Sequence, residues 1–452
     1  MRLEEIVEAG LGAGAAVVIG DRSTVVNFRL ANNTVTTNGR EESTSAGVLA
    51  VEQGRVGVQT ADVTEGAQVV AFVGDAKARA EQSPEAPDVM PLLTPEEAAQ
   101  DDHEAAQVAP EALPGDLEPI LESVRAILEE SRQSGLRCFG YAQATASQQL
   151  LGTKTGVRLE GRRRGASLTL TLKTQDLKRS VWSGATARTL SALDPAAIYR
   201  KLSRRLAQTE RAVELPPGHY QVILEPSAVA DMVLRLMWEM HARGADEGRT
   251  VFAGKSGPRV GEEMYAPEVT LDSDPRDPEM RVPSFVHSLR SSEYGSVFDN
   301  GLAVPPAVWV EGGVQRELIC PRRWAQDHDH PVRPDVDNLR MRGTETSLEE
   351  MIANTERALL VTSLWYIRDV DPATLLLTGL TRDGVFLVEH GEVVGAVNNF
   401  RFNESPVGVL RRTVEIGAPE LALSREVGDD AFVKAPPIRV ENFFMSSVSD
   451  AI

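Results

Sequence analysis

The chain has 452 residues, enough for two or three domains, and its 42% hydrophobic and 25% charged content is ordinary for a protein with sizeable buried cores. A formal net charge of −19 argues against nucleic acid as a partner, because a surface that tracks phosphates needs an excess of Lys and Arg. Two distant cysteines, Cys138 and Cys320, exclude a disulfide framework and a Cys-rich zinc module, and no stretch approaches the roughly 20 apolar residues of a membrane span.

The N-terminal stretch MRLEEIVEAGLGAGAAVVIGD carries acids where a signal peptide needs positive charge, so a cytoplasmic protein is the expectation. A helix over residues 3–8 leads into the strand-like runs AAVVIGD, STVVNFRLANN and AGVLAVEQGRVGVQTAD, the last turning at Gln53-Gly54. A helical pattern covers 64–80. Residues 81–117 are rich in Asp, Glu and Pro and contain no Lys or Arg, which predicts a mobile linker or surface excursion. A charged helix follows over 117–132. From 135 to 173 the pattern is β; ASLTLTLK alternates, with Leu168, Leu170 and Leu172 on one face. The basic run RLEGRRRGAS (158–167) reads as a solvated hairpin tip in so acidic a chain. Asp194-Pro195 opens a helix, and PPGHYQVILEP reads as a turn and a short buried strand.

Next comes DMVLRLMWEMHARGADEGR (231–249), an amphipathic helix of the kind that holds zinc in metalloproteases. Val229, Met232, Val233, Leu236, Met237 and Met240 form one continuous apolar face. Arg235, Glu239 and Arg243 step by four along the other side, with Gly244 placed as a C-terminal cap. Glu239 is then a solvated or interface charge and His241 a packed or capping histidine. After a loop-rich stretch (255–340), Ser347 and Glu350 form a capping box. TLLLTGLTRDGVFLVEHGEVVGAVNNFRF then predicts a meander of two hairpins turning at Asp383-Gly384 and His390-Gly391. The fold class is α+β: an N-terminal α/β domain over 1–215, with the excursion at 81–117, and a β-rich, barrel-like C-terminal domain over 216–452.

Zinc hydrolysis needs converging N, O or S ligands, an open position and a base. No two of the seven histidines share a helix at ligand spacing. Asp327, His328, Asp329 and His330 alternate in AQDHDHPV, but flanking PRR and PVRP predict an exposed loop. Neither cysteine has a recognisable base, no G-x-S-x-G occurs, and GLGAGAA precedes a strand instead of following one.

Five segments taken together carry a family resemblance: FRLANNTVTTN, LPPGHYQVILEPSAVADMV, GRTVFAGKSG with VTLDSDP, SLEEMIANTERALLVT, and DVDPATLLLTGLTRDGVFLVEHGEVVGAVNNFRFNES. The chain resembles the TldD/PmbA family (modulator of DNA gyrase family) of peptidase-like proteins over nearly its whole length. The resemblance implies two member types that assemble together. TldD-type members carry an HExxxH helix and a later cysteine that bind metal and cleave peptides, while TldE (PmbA)-type members lack those ligands. Counting back from TVFAG places the two histidine positions on Val233 and Trp238 and the glutamate on Leu234, and no cysteine follows Cys320. The resemblance thus implies a TldE-type subunit with no cofactor of its own, zinc residing in an HExxxH-bearing partner. Unfolded or short peptides would be the substrate, pairing with an exposed strand edge. Asn399, Arg401 and Asn403 are the candidates for substrate or partner contact. Two alternatives stay open: a stand-alone homodimer that binds a peptide or small molecule, and a peptidase using a metal site built from His328, His330 or His241.

Overall fold

Long antiparallel strands open the structure, a computed structural model that describes residues 2–100 and 117–449. After α1 (Leu3–Gly12) come β1 (Val17–Ala31), β2 (Thr34–Glu52), β3 (Arg55–Asp62) and α2 (Gly66–Gln82). Then α3 (Leu117–Gln133) precedes β4 (Arg137–Thr153), β5 (Arg158–Lys173), β6 (Ser180–Ala187) and α4 (Pro195–Gln208). The six strands form one sheet in the order β3-β2-β1-β4-β5-β6. Leu168, Leu170 and Leu172 are all fully buried, as their alternation requires, and pack with residues of α3 and α4.

One expectation for this half fails and another is sharpened. The basic run is no hairpin tip: Arg162, Arg163 and Arg164 lie in the interior of β5, opposite Gln148, Ser147 and Ala146 of β4. Gly161 and Gly165 beside them allow Pro283 and Phe432 of the C-terminal half to approach, and the Arg163 guanidinium lies 5.4 Å from the Phe432 ring centre. Residues 83–100 do run over the surface, where Pro84, Glu85, Pro91 and Glu96 are exposed, but they are pinned to it at several points. Leu93 is buried, Thr155 Oγ1 donates to its carbonyl, Arg322 donates to the Pro91 carbonyl, and the Ala99 N–H bonds the Gly301 carbonyl. The prolines make an extended strap whose Val89, Met90 and Leu92 side chains join a small core with Phe285 and Phe298. The rest of the acidic stretch, 101–116, lies outside the described residues.

The C-terminal half runs β7 (Ala212–Val213), β8 (Gly218–Leu224), α5 (Pro226–Glu239), α6 (Ala242–Asp246), β9 (Ala253–Gly254), β10 (Gly257–Pro258), β11 (Leu271–Ser273), β12 (Ala307–Glu311), β13 (Val314–Gln315) and α7 (Arg322–His328). It continues through β14 (Asn338–Met341), α8 (Leu348–Ala353), β15 (Arg357–Val361), β16 (Leu364–Asp371), β17 (Leu376–Thr381), β18 (Val385–Glu389), β19 (Glu392–Val397), β20 (Phe400–Glu404), α9 (Pro406–Arg411), β21 (Thr413–Ile416), β22 (Glu420–Ser424), β23 (Gly428–Ala435) and β24 (Ile438–Val448). Among the described residues two large sheets result, in the orders β16-β17-β20-β24-β8-β15-β18-β19-β7, with β21 on β24, and β13-β12-β11-β14-β23-β22, beside a two-stranded ribbon of β9 and β10. This half is β-rich as expected, but its sheets are open, not closed into a barrel. One continuous core joins α5 to both sheets.

The expected meander is half right. His390-Gly391 joins β18 to β19 as a hairpin, and the Ser347–Glu350 capping box starts α8. Asp383-Gly384 joins strands that do not pair, since β17 lies between β16 and β20 while β18 lies between β15 and β19. The dipeptide supplies a sharp corner instead, with φ of 55° at Asp383 and 156° at Gly384.

Candidate functional site

The helix expected around residues 231–244 is α5, which starts with Pro226 in its first turn. Glu225 just before it is fully buried and binds Lys201 Nζ at 2.9 Å and Arg205, both from α4. Burial alone would raise its carboxyl, but the two cations outweigh that and hold it below the ordinary range. Val229, Met232, Val233, Leu236, Met237 and Met240 are all buried, so the predicted apolar face is real.

The helix does not run to Gly244. It ends at Glu239, where Met240 adopts ψ of 54°. The Met240 carbonyl accepts from Ile319 N–H and the Ala242 N–H bonds the Ile319 carbonyl, so pairing with residue 319 draws the chain out of the helix. His241 then caps the short helix α6, its Nδ1 accepting the Gly244 N–H at 3.0 Å. Burial pushes this imidazole below its ordinary value, which keeps the ring neutral and fit to accept. Gly244 therefore lies inside α6, and Arg243 turns to the Trp324 ring instead of continuing a ladder with Glu239.

Val233 is fully buried in the core. Leu234 and Trp238, one turn apart, instead line a cleft of about 300 Å³ between α5 and β14. Met237, Leu339 and Phe432 complete its apolar walls, and Asp335 and Asp337 stand at its rim. Trp238 is 40% exposed, its ring lies 4.6 Å from the Arg235 guanidinium, and its carbonyl accepts from the Tyr294 hydroxyl. Burial and then the charges of Glu239, Glu293 and Asp335 raise the Tyr294 phenol, so it stays a donor. Solvent reaches Asp335, yet the surrounding walls crowd its carboxyl, and that desolvation, with the like charge of Asp337, pushes it up to about 6. An adjoining cleft of about 230 Å³ shares Tyr294, Asp335 and Asp337 and carries His287 and Arg290 on its other wall.

Two residues before Val233, Asp231 is buried at 1% exposure. Its Oδ1 accepts from Ser424 Oγ at 2.6 Å and from the Glu426 N–H at 3.3 Å, while Oδ2 has no partner among the described residues. Burial pushes this carboxyl up to about 7.

The other sequence candidates lie elsewhere. Asn399 lines an open cleft of about 440 Å³ with Lys178, Glu210 and Asp383. Arg401 and Asn403 share one half-buried face of β20, where Arg401 Nη1 donates to Thr378 Oγ1 at 3.2 Å. The α5 cleft contains none of the three.

A zinc ion does not suit the donors present. Leu234 and Trp238 offer no lone pair, and His241 has committed its Nδ1 to Gly244. The DHDH segment is the end of α7 and not an open loop: His328 stacks on Trp324 at 3.8 Å, Asp329 takes a left-handed cap, and His330 Nε2 sits 2.9 Å from Asp246. Burial pushes the Cys138 and Cys320 thiols up to about 12, so both stay protonated. Among the described residues no three His, Cys, Asp or Glu side chains converge. Among them, too, no helix is long and apolar enough to cross a membrane.

Sequence reasoning missed Tyr294, Asp335, Asp337 and Phe432. The only local signal was the alternation in PDVDN (334–338), where Val336 and Asn338 are buried while both aspartates are exposed.

The sequence pattern described as the PmbA/TldA metallopeptidase C-terminal domain matches residues 217–447. No curated protein matches the chain. TldE from Thermococcus kodakarensis has a similar fold, with a TM-score of 0.80 at 17% identity, covering 98% of this chain and 99% of that one. A protein from Bacteroides thetaiotaomicron described as a modulator of DNA gyrase gives 0.78 at 14% identity, covering 99% and 98%. One so described from Thermotoga maritima gives 0.71 at 15%, covering 98% of each chain. At these identities the structural likeness speaks for fold alone. The matched sequence pattern spans just over half of the chain, and on that ground the protein belongs to the PmbA/TldD family of metallopeptidase-type proteins.

Proposed function

We propose that this chain is the non-metal-binding subunit of a TldD/TldE-like heteromeric metalloprotease acting on unfolded or short peptides. The supporting observation is the setting of α5: Leu234 and Trp238 wall a cleft at the positions aligned with the glutamate and second histidine, while Val233, aligned with the first, is core. A leucine cannot activate water and a tryptophan cannot hold zinc, so the cleft keeps a place for peptide without the means to cut it. Zinc and the base belong to a TldD-type partner. Asn399, Arg401 and Asn403, away from the α5 cleft, are assigned to contact with that partner or with substrate.

Co-expression with an HExxxH-bearing paralogue, followed by sizing and peptide cleavage by each protein alone and together, tests this. The expected result is one heteromer that cleaves, with no cleavage by this chain alone and less than about a tenth of an equivalent of zinc in it. Equal cleavage by this chain alone, or a homodimer that ignores the paralogue, overturns it.

A further inference from the structure

The α5 cleft has a charge pattern that its shape does not require. Asp335 and Asp337 flank buried Val336 and both line the cleft, Asp335 with its carboxyl crowded by the walls. The nearest arginines in sequence are committed elsewhere: Arg333 to Glu317, and Arg340 to Asp272 at 2.6 Å and Asp277 at 3.1 Å. Among the described residues the one charge acting strongly on Asp335 is the like charge of Asp337. The cleft therefore holds two uncompensated carboxylates above apolar walls made by Leu234, Met237, Leu339 and Phe432.

The geometry points to a binding site for a lysine or arginine side chain of an extended peptide, its aliphatic stem on the apolar walls and its cationic head between Asp335 and Asp337. Long cationic side chains are the protein groups that combine these two surfaces. A bare divalent cation is a poorer match, because the other side-chain oxygens of the lining are engaged, Tyr294 Oη with the Trp238 carbonyl and Asn338 Oδ1 with the Asp274 N–H. An acidic side chain meets repulsion at the rim, and the chain's net charge of −19 adds to it. Tyr294 fixes the mouth through its hydroxyl on the Trp238 carbonyl. The inference takes from the proposed function only that the occupant is peptide, and it needs neither a partner nor cleavage.

The test uses the full chain alone and an unstructured peptide with one central lysine, beside versions bearing norleucine or glutamate at that position. Calorimetric titration is expected to give affinity for the lysine peptide on the order of tenfold above norleucine, with glutamate weakest. Asp335→Asn with Asp337→Asn should erase the lysine preference and leave norleucine binding in place, with a thermal midpoint at neutral pH no lower than wild type, because the change removes a desolvated like-charge pair. Equal affinity for lysine and norleucine, no binding of the lysine peptide, or a preference that survives in the double variant overturns the site. Failure here beside an intact, cleaving heteromer would leave the subunit reading standing, and binding here without a heteromer would leave the site standing.

Discussion

Asp231 carries its proton to unusually high pH, and that is a property of the fold. Its carboxyl has one oxygen in hydrogen bonds to Ser424 and Glu426 and the other without a partner among the described residues, and burial pushes it up to about 7 from 3.8. Between those values the folded chain binds more protons here than the unfolded chain does, so this group's contribution to stability falls as pH rises from about 4 to about 7. Asp231→Asn removes the titration while keeping the shape. Urea unfolding of both proteins at pH 4 and pH 8 should show the stability of wild type relative to the variant dropping by roughly 2–4 kcal/mol across that range. A constant difference would mean that Asp231 titrates normally. Asp299, pushed up to about 6 by burial, acts in the same sense in both proteins and cancels from the comparison.

At the scale of elements, α5 is shorter than its pattern predicts. The 3.6-residue periodicity identified the buried face residue by residue, because burial along one helix is a local property of the sequence. The stop at Glu239 was not legible, since it depends on Ile319 pairing with Met240 and Ala242 from eighty residues away. Gly244 consequently has a different duty from capping. A Cβ there would lie 2.5 Å from His241 Cε1 and 2.6 Å from Thr250 Cγ2, both in packed positions. Gly244→Ala should cost roughly 1–3 kcal/mol in urea unfolding, against the small gain such a change brings to an uncrowded helix. Turn chemistry shows the same division. Asp383-Gly384 announced a turn, but backbone angles do not say which strands pair. The walls of the cleft come from α5, β14, β23 and the loop holding Tyr294, so no window of sequence contained the site. Strand-edge pairing of a peptide is restricted as well. On terminal strand β16 the Ile367 N–H donates to Glu426, and Arg235 and Arg368 donate to the Ile367 carbonyl, capping that part of the edge.

Across the whole molecule the two halves share a core: Leu168 of β5 belongs to the same buried cluster as Leu360 of β15 and Phe386 of β18. A polar clamp reinforces this junction at the Asp383 corner. Arg425, nearly buried, lies 4.8 Å from the Trp182 ring and 5.3 Å from the Trp365 ring, and its Nη2 meets Asp383 Oδ2 at 2.5 Å. Ser180 of β6 donates to the other Asp383 oxygen, and the Trp182 N–H donates to the Asp383 carbonyl at 3.2 Å. Burial alone would raise Asp383, but Arg425 outweighs it and holds the carboxyl below the ordinary range. The sign is therefore opposite to that of Asp231: the stabilisation is complete above the unfolded value near 3.8 and is lost as pH falls through the lower folded value. Asp383→Asn leaves the shape of the corner and strands the Arg425 charge between two indoles. At pH 7 the variant should lose about 3–5 kcal/mol in urea unfolding, the cost of breaking one side of a buried pair. The deficit should narrow when both proteins are compared at pH 3, below the unfolded value of 3.8. There the unfolded carboxyl binds its proton and the linkage stabilisation of wild type has begun to fall. Because the clamp joins β6 to the C-terminal sheets, limited proteolysis at pH 7 should also cut the variant faster around 178–184 than wild type. A deficit unchanged at pH 3, or none at pH 7, would show that the indoles hold Arg425 without help from the carboxylate.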